Sequence, residues 1–180
     1  MPTYIALLRG INVTGHNIVP MAVLRELCTK LGYSDVATYI QSGNIVFKSD
    51  QKPASIQKSI KGAIAKKFKF DVEIFVYNIG VLKKIVVHCP YDESKLSENE
   101  KIHFTLLSGL PDKRGIEKLK SIDDADEFTI AGTTMYLLTR NGYGNTRFNN
   151  VFVERTLNVR ATTRNFNTMK KLIEMGEILK

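Results

Sequence analysis

The sequence predicts an α+β fold: two ferredoxin-like (βαββαβ-type) subdomains with antiparallel sheets covered by helices on one face, the second ending in helices. Two observations carry that reading. The apolar periodicity switches between strand and helix in the order β-α-β-β-α-β along residues 3–77, the split βαβ arrangement. The same order then starts again at residue 102, after the acidic, polar segment Tyr91–Lys101. The expected division is 1–90 for an N-terminal subdomain, 91–101 for a linker and 102–180 for a C-terminal subdomain with an extra helix. No residue-level period links the halves, so the duplication is one of structure and not of sequence.

In the first half, Thr3–Ile11 is a β-rich apolar run that stops in the polar loop Asn12–Val19. Pro20 suits the first turn of a helix, where its missing N–H costs nothing. Leu24, Leu27, Cys28 and Leu31 follow i, i+3, i+4, i+7 spacing, and Gly32 closes that helix. Val36–Ile40 and Ile45–Lys48 read as strands flanking Gln41-Ser42-Gly43-Asn44, a hairpin with glycine in its turn. Pro53 opens a second helix, with Ile56, Ile60, Ala63 and Ile64 on one face. Val72–Tyr77 is the next strand, and Gly80–His88 a short helix ended by Pro90.

The second half repeats the order. Ile102–Leu107 is a strand and Pro111–Ile122 a helix opened by proline. Glu127–Ile130 and Thr134–Thr139 are strands around Ala131-Gly132-Thr133, and Val151–Leu157 is a helix. No last strand is expected. The chain instead reads as ending in a second helix, about Asn165–Leu179.

Composition and charge narrow the function. The chain has 180 residues, 43% hydrophobic and 24% charged, which is ordinary globular composition. No apolar run approaches the ~20 residues that span a bilayer. Met1-Pro2-Thr3-Tyr4 lacks the basic start of a secretory signal, so a cytoplasmic location is expected. The net charge of +8 is lopsided: residues 1–90 hold 12 Lys and Arg against 5 Asp and Glu. Lys52–Lys69 carries Lys52, Lys58, Lys61, Lys66, Lys67 and Lys69 and no acid. Such a field attracts phosphates or nucleic acid, although the same lysines suit the solvated side of an amphipathic helix. The aromatic patterns of an RRM and the G-x-x-G context of a KH domain are missing.

Three polar segments stand out. Gly10–Gly15 imitates the G-x-x-x-x-G spacing of a P-loop, but His16 and Asn17 stand where its Lys and Ser/Thr belong. Arg9, Asn12 and Asn17 are instead candidate ligand donors there. The turn supplies Gln41, Ser42 and Asn44. Thr162-Thr163-Arg164-Asn165 precedes the last helix, where Thr163 or Asn165 suits an N-cap and Arg164 an anion. Asn141–Arg147 adds a flexible loop with Arg147. His16, His88, His103, Cys28 and Cys89 show no metal-ligand spacing, so no metal and no cofactor are expected. Cys28 reads as a core residue, and the two cysteines cannot build a disulfide framework.

Two blocks carry a family resemblance. Leu7–Val13, Val19-Pro20-Met21 and Thr38-Tyr39-Ile40-Gln41-Ser42-Gly43-Asn44-Ile45-Val46-Phe47 resemble the N-terminal block of the bacterial family named domain of unknown function 1697. Thr162–Thr168 resembles that family's C-terminal block. Phe166, often Trp in the family, and Thr146-Arg147, often Ser-Lys, depart from its pattern but keep aromatic or cationic character. The resemblance implies two ferredoxin-like halves in a cytoplasmic bacterial protein, and no reaction, cofactor or catalytic residue.

Two function classes follow. One is a binding module for an anionic ligand, a phosphorylated small molecule or nucleic acid, at a cleft where the three polar segments meet. The other is a metal-independent enzyme on a phosphate or acyl substrate. There Arg9, Arg147 and Arg164 would stabilise charge, and Ser42 or His16 would act as nucleophile or proton carrier. A protein-interaction module is the plainer alternative. The basic balance, without paired carboxylates, favours binding.

Overall fold

β1 (Thr3–Leu8) is apolar at every position but Thr3, and it becomes an inner strand of the first sheet. A computed structural model describes residues 1–179. Each half of the chain folds as an α+β, ferredoxin-like unit around its own four-stranded antiparallel sheet. The chain splits into two compact units, Met1–Lys84 together with the end of the last helix from Lys170, and Ile85–Met169.

In the first unit, α1 (Met21–Lys30), β2 (Ser34–Tyr39), β3 (Asn44–Lys48), α2 (Pro53–Phe68), β4 (Ile74–Asn78) and α3 (Ile79–Val87) follow β1 in order. The sheet order is β2-β3-β1-β4. β1 pairs antiparallel with β3, Leu7 opposite Asn44, and with β4, Leu8 opposite Ile74. Strand alternation sends Tyr4, Ala6, Leu8, Ile45 and Phe47 into the core under α1 and α2. Leu24 and Cys28 of α1 and Ile56, Ile60 and Ile64 of α2 close that core. The opposite face is buried too: Ile5, Leu7 and Val46 are inaccessible. Gly176 sits so close to Ile79 that a Cβ there would meet its Cδ1 at 2.6 Å.

The second unit repeats the plan with β5 (Lys101–Leu107), α4 (Lys113–Lys120), β6 (Glu127–Ala131), β7 (Thr134–Thr139), α5 (Asn150–Leu157), β8 (Ala161–Asn165) and the start of α6 (Phe166–Ile178), whose residues from Lys170 belong to the first unit. Its sheet order, β6-β7-β5-β8, matches the first. Leu107, Leu119, Met135, Leu137, Phe148, Val153 and Leu157 form the core under α4 and α5. Gly115 lets those helices touch, since a Cβ there would lie 2.2 Å from the Thr156 carbonyl oxygen.

Two expectations are corrected. A last strand is present: Ala161–Asn165 pairs antiparallel with β5, Thr105 opposite Thr163. Its Ala-Thr-Thr-Arg-Asn sequence lacks apolar alternation, so periodicity misses it. α4 starts at Lys113, not at proline; the Asp112 carboxylate caps it by accepting from Gly115 N at 3.2 Å.

Candidate functional site

Antiparallel pairing of β1 with β3 puts the end of β1 beside the start of β3, so the loop after β1 and the β2–β3 turn share one sheet edge. The Leu8 amide donates to the Gly43 carbonyl at 2.8 Å. Gly43 has φ +77°, and a Cβ would lie 2.7 Å from Ile11 Cδ1. Only glycine fits both conditions. The loop itself is tightly wound: Gly10, Asn12, Thr14, Gly15 and Asn17 all have positive φ.

The polar side chains of this edge largely bind their own backbone. Asn12 Nδ2 donates to the Gln41 and Val19 carbonyls at 2.8 and 3.0 Å, and its Oδ1 accepts from Val19 N at 2.8 Å. Asn17 Nδ2 donates to the Gly10 carbonyl at 3.1 Å. Asn44, fully buried, donates to the Tyr39 carbonyl and to Ser42 Oγ, each at 3.0 Å. The Arg9 amide donates to the Glu73 carbonyl at 2.9 Å, with the side chain half-buried. Gln41 is exposed, as is His16. The edge is a stitched corner of the fold, with Thr14, His16, Asn17 and Gln41 exposed on it and Arg9 half-buried.

The third segment belongs to the second unit, and strand alternation splits it. Thr163 and Asn165 share one face of β8, and Arg164 takes the other with Thr162. Thr163 Oγ1 shares a 2.7 Å hydrogen bond with Thr105 Oγ1 and donates to Asn150 Oδ1 at 2.7 Å. Asn165 Oδ1 accepts from Thr168 N at 2.8 Å and caps α6. The Arg164 guanidinium is buried and donates to Thr162 Oγ1 at 3.0 Å and the Thr163 carbonyl at 2.9 Å. Burial pulls its pKa down to about 10, against a smaller opposing effect of Tyr143. Arg147 is exposed and lies 3.9 Å from an Asp124 carboxylate oxygen.

A feature that sequence reasoning missed lies on the helix layer of the first unit. α1 and α2 leave an open groove of about 820 Å³ between them. Its floor is Val23 and Leu27 from α1, Leu31 at the C-cap of that helix, and Gly62 and Ala63 from α2. Its rim carries four lysines, Lys30, Lys58, Lys66 and Lys67, and a single acid, Glu26. Glu26 is already bridged to Lys30 at 2.5 Å, and that hydrogen bond holds its carboxyl below the usual range. Lys58, Lys66 and Lys67 form no salt bridge among the described residues. Lys61 is different, bridging Glu73 at 2.9 Å, and Lys69 occupies the left-handed cap of α2. The signal was present in Leu27 and Leu31, which share the apolar stripe of α1 yet stay half-exposed.

Elsewhere, Cys28 is buried and its thiol is pushed up to about 12 by desolvation. No group of three or more His, Cys, Asp and Glu among the described residues is placed to hold a metal ion. No described helix is long and apolar enough to cross a membrane.

The sequence profile of the family described as "Protein of unknown function (DUF1697)" matches residues 1–136. The chain belongs to this family. The match contains the Arg9–Asn17 loop, the hairpin turn and the α1–α2 groove, and it ends before the Thr162–Thr168 block. A solved structure, the conserved bacterial protein SP0830 from Streptococcus pneumoniae, has a similar fold. It aligns with a TM-score of 0.75 and 23% identity, over 97% of this chain and 98% of that one. No curated protein matches the chain.

Proposed function

We propose that this protein is a binding module for an anionic ligand, and that the helix face of its N-terminal unit makes the contact. One observation supports this most directly: Lys58, Lys66 and Lys67 flank an apolar groove and form no salt bridge among the described residues, the carboxylate of Glu26 on the same rim being bridged to Lys30. Lys66 and Lys67 are neighbours and Lys58 lies about 12 Å away along the axis of the same helix, so an anion seated along this wall is attracted by all three. The polar side chains expected from sequence to be ligand donors support a contact at the loops less. Asn12, Asn17 and Asn44 hold backbone groups, and Arg164 is buried among Thr162 and Thr163.

The test is binding to heparin and to fluorescein-labelled oligouridylate across a salt series. Affinity is expected to fall linearly on log–log axes as salt rises, because each phosphate or sulfate contact releases a counterion. Reversing Lys58, Lys66 and Lys67 to Glu together is expected to lower affinity by at least about tenfold. Affinity that ignores salt, or that survives the triple reversal, would overturn this reading.

A further inference from the structure

We propose that the groove between α1 and α2 seats an acidic, amphipathic α-helix of a protein partner. This rests on the anion-binding reading and names its ligand.

The shape of the occupant follows from what the groove lacks. Both walls are helices, whose backbone groups are satisfied internally, so the walls offer no ladder of N–H and C=O groups. An extended peptide lying there would bury its own backbone donors and acceptors unmet. A helix brings its hydrogen bonds with it and needs only side-chain contact, the helix-in-groove mode. No Phe, Tyr, Trp or His lines the groove, so it has no platform on which a nucleobase would stack. The groove is also open along its length. A small apolar ligand there would keep much of its surface wet, whereas an amphipathic helix needs one wet side.

Gly62 is the second observation. It stands inside the 16-residue α2, where glycine costs about 1 kcal/mol relative to alanine. Its φ is not positive, and a Cβ built on it meets nothing within 4 Å. Nothing in the fold therefore requires glycine here. Its effect is on the groove: the missing side chain leaves a dent between Ser59, Ala63 and Lys66 where another backbone can approach closely.

Charge fixes the rest. Cations outnumber acids four to one around the rim, so the occupant needs Asp or Glu flanking its apolar stripe. The α2 wall from Lys58 to Lys67 spans roughly 14 Å at ~1.5 Å per residue, which seats two to three turns. A second copy of this chain does not fit, since none of its α-helices carries a net negative charge: α1 to α4 are net basic, and α5 (NVFVERTL) and α6 (FNTMKKLIEMGEI) balance their acids with as many cations.

The experiment uses fluorescence anisotropy with two labelled synthetic peptides of about 18 residues. One places Leu at i, i+3, i+4, i+7 with Glu beside them; the other has the same composition in shuffled order. The full chain is compared with Gly62→Leu, which fills the dent yet is expected to raise Tm. Heparin binding runs in parallel. The expected result is at least about tenfold tighter binding of the patterned peptide than of the shuffled one. Gly62→Leu should remove that preference. Equal affinity for the two peptides, or full binding by Gly62→Leu, overturns the helix proposal while salt-sensitive heparin binding leaves the anion reading standing. Failure of both peptides and heparin overturns the two together.

Discussion

Asn12, in the loop after β1, and Gln41, in the β2–β3 turn, are joined by a 2.8 Å hydrogen bond from Nδ2 to the carbonyl oxygen across 29 positions of chain. The same side chain accepts from Val19 N and donates to its carbonyl, so one residue clamps the loop at both ends. Its φ of +54° is a conformation that asparagine adopts more readily than most residues.

Two substitutions separate the clamp from the backbone. Asn12→Gly keeps the left-handed backbone and loses three hydrogen bonds, so it should cost about 1–3 kcal/mol. Asn12→Ala adds the left-handed penalty of roughly 1–2 kcal/mol. Urea denaturation checks the order; equal stabilities would remove the backbone argument, and a neutral Asn12→Gly would remove the clamp.

Gly43 and Gly62 predict opposite signs for the same change. Gly43→Ala drives a Cβ to 2.7 Å from Ile11 Cδ1 at φ +77°, and should cost more than about 2 kcal/mol. Gly62→Ala places a methyl in open space on a helix and should stabilise by about 0.5–1 kcal/mol. Thermal melts of the two variants, side by side, decide whether each glycine serves the fold.

Much of this architecture was legible because burial and periodicity agree. Ile56, Ile60 and Ile64 share a helical stripe and are all fully buried. β8 was illegible because its polar residues are satisfied laterally: Thr163 by Thr105 and Asn150, Arg164 by Thr162 and its own neighbour's carbonyl. Hydropathy records none of that pairing. The nearness of Gln41 to Asn12 needed only the antiparallel sense of β1 and β3, which the βαββ order already implies. The groove was harder, since its walls come from helices 23 to 31 and 58 to 67, and no local pattern shows two stripes lying side by side.

Arg164 offers a test of whether the polar block before α6 is structural. Its guanidinium is bound to Thr162 Oγ1 and the Thr163 carbonyl inside a buried environment. Arg164→Ala leaves those acceptors without their donor and should lower stability by about 2–3 kcal/mol. Arg164→Lys should recover only part, because one ammonium cannot reproduce the planar fork. Unchanged stability in Arg164→Ala would mean the side chain is held for something other than the fold.

His103 predicts how stability depends on pH. It sits in β5, 5% exposed, edge-on to the Tyr143 ring with centroids 5.0 Å apart. Its Nε2 has no hydrogen-bond partner among the described residues. Burial lowers its pKa from 6.5 to about 4, with the Asp126 carboxylate opposing the shift. The unfolded chain binds this proton below about pH 6.5, while the folded chain refuses it until about pH 4. Stability from this group is therefore complete above about pH 6.5 and falls as pH drops towards 4, by up to about 3 kcal/mol. His103→Phe keeps an aromatic ring against Tyr143 and cannot titrate, so its stability should vary less across that window. Urea midpoints between pH 4 and 7 measure the difference. Parallel profiles for the two proteins would show that His103 titrates alike in both states and that its burial carries no proton linkage.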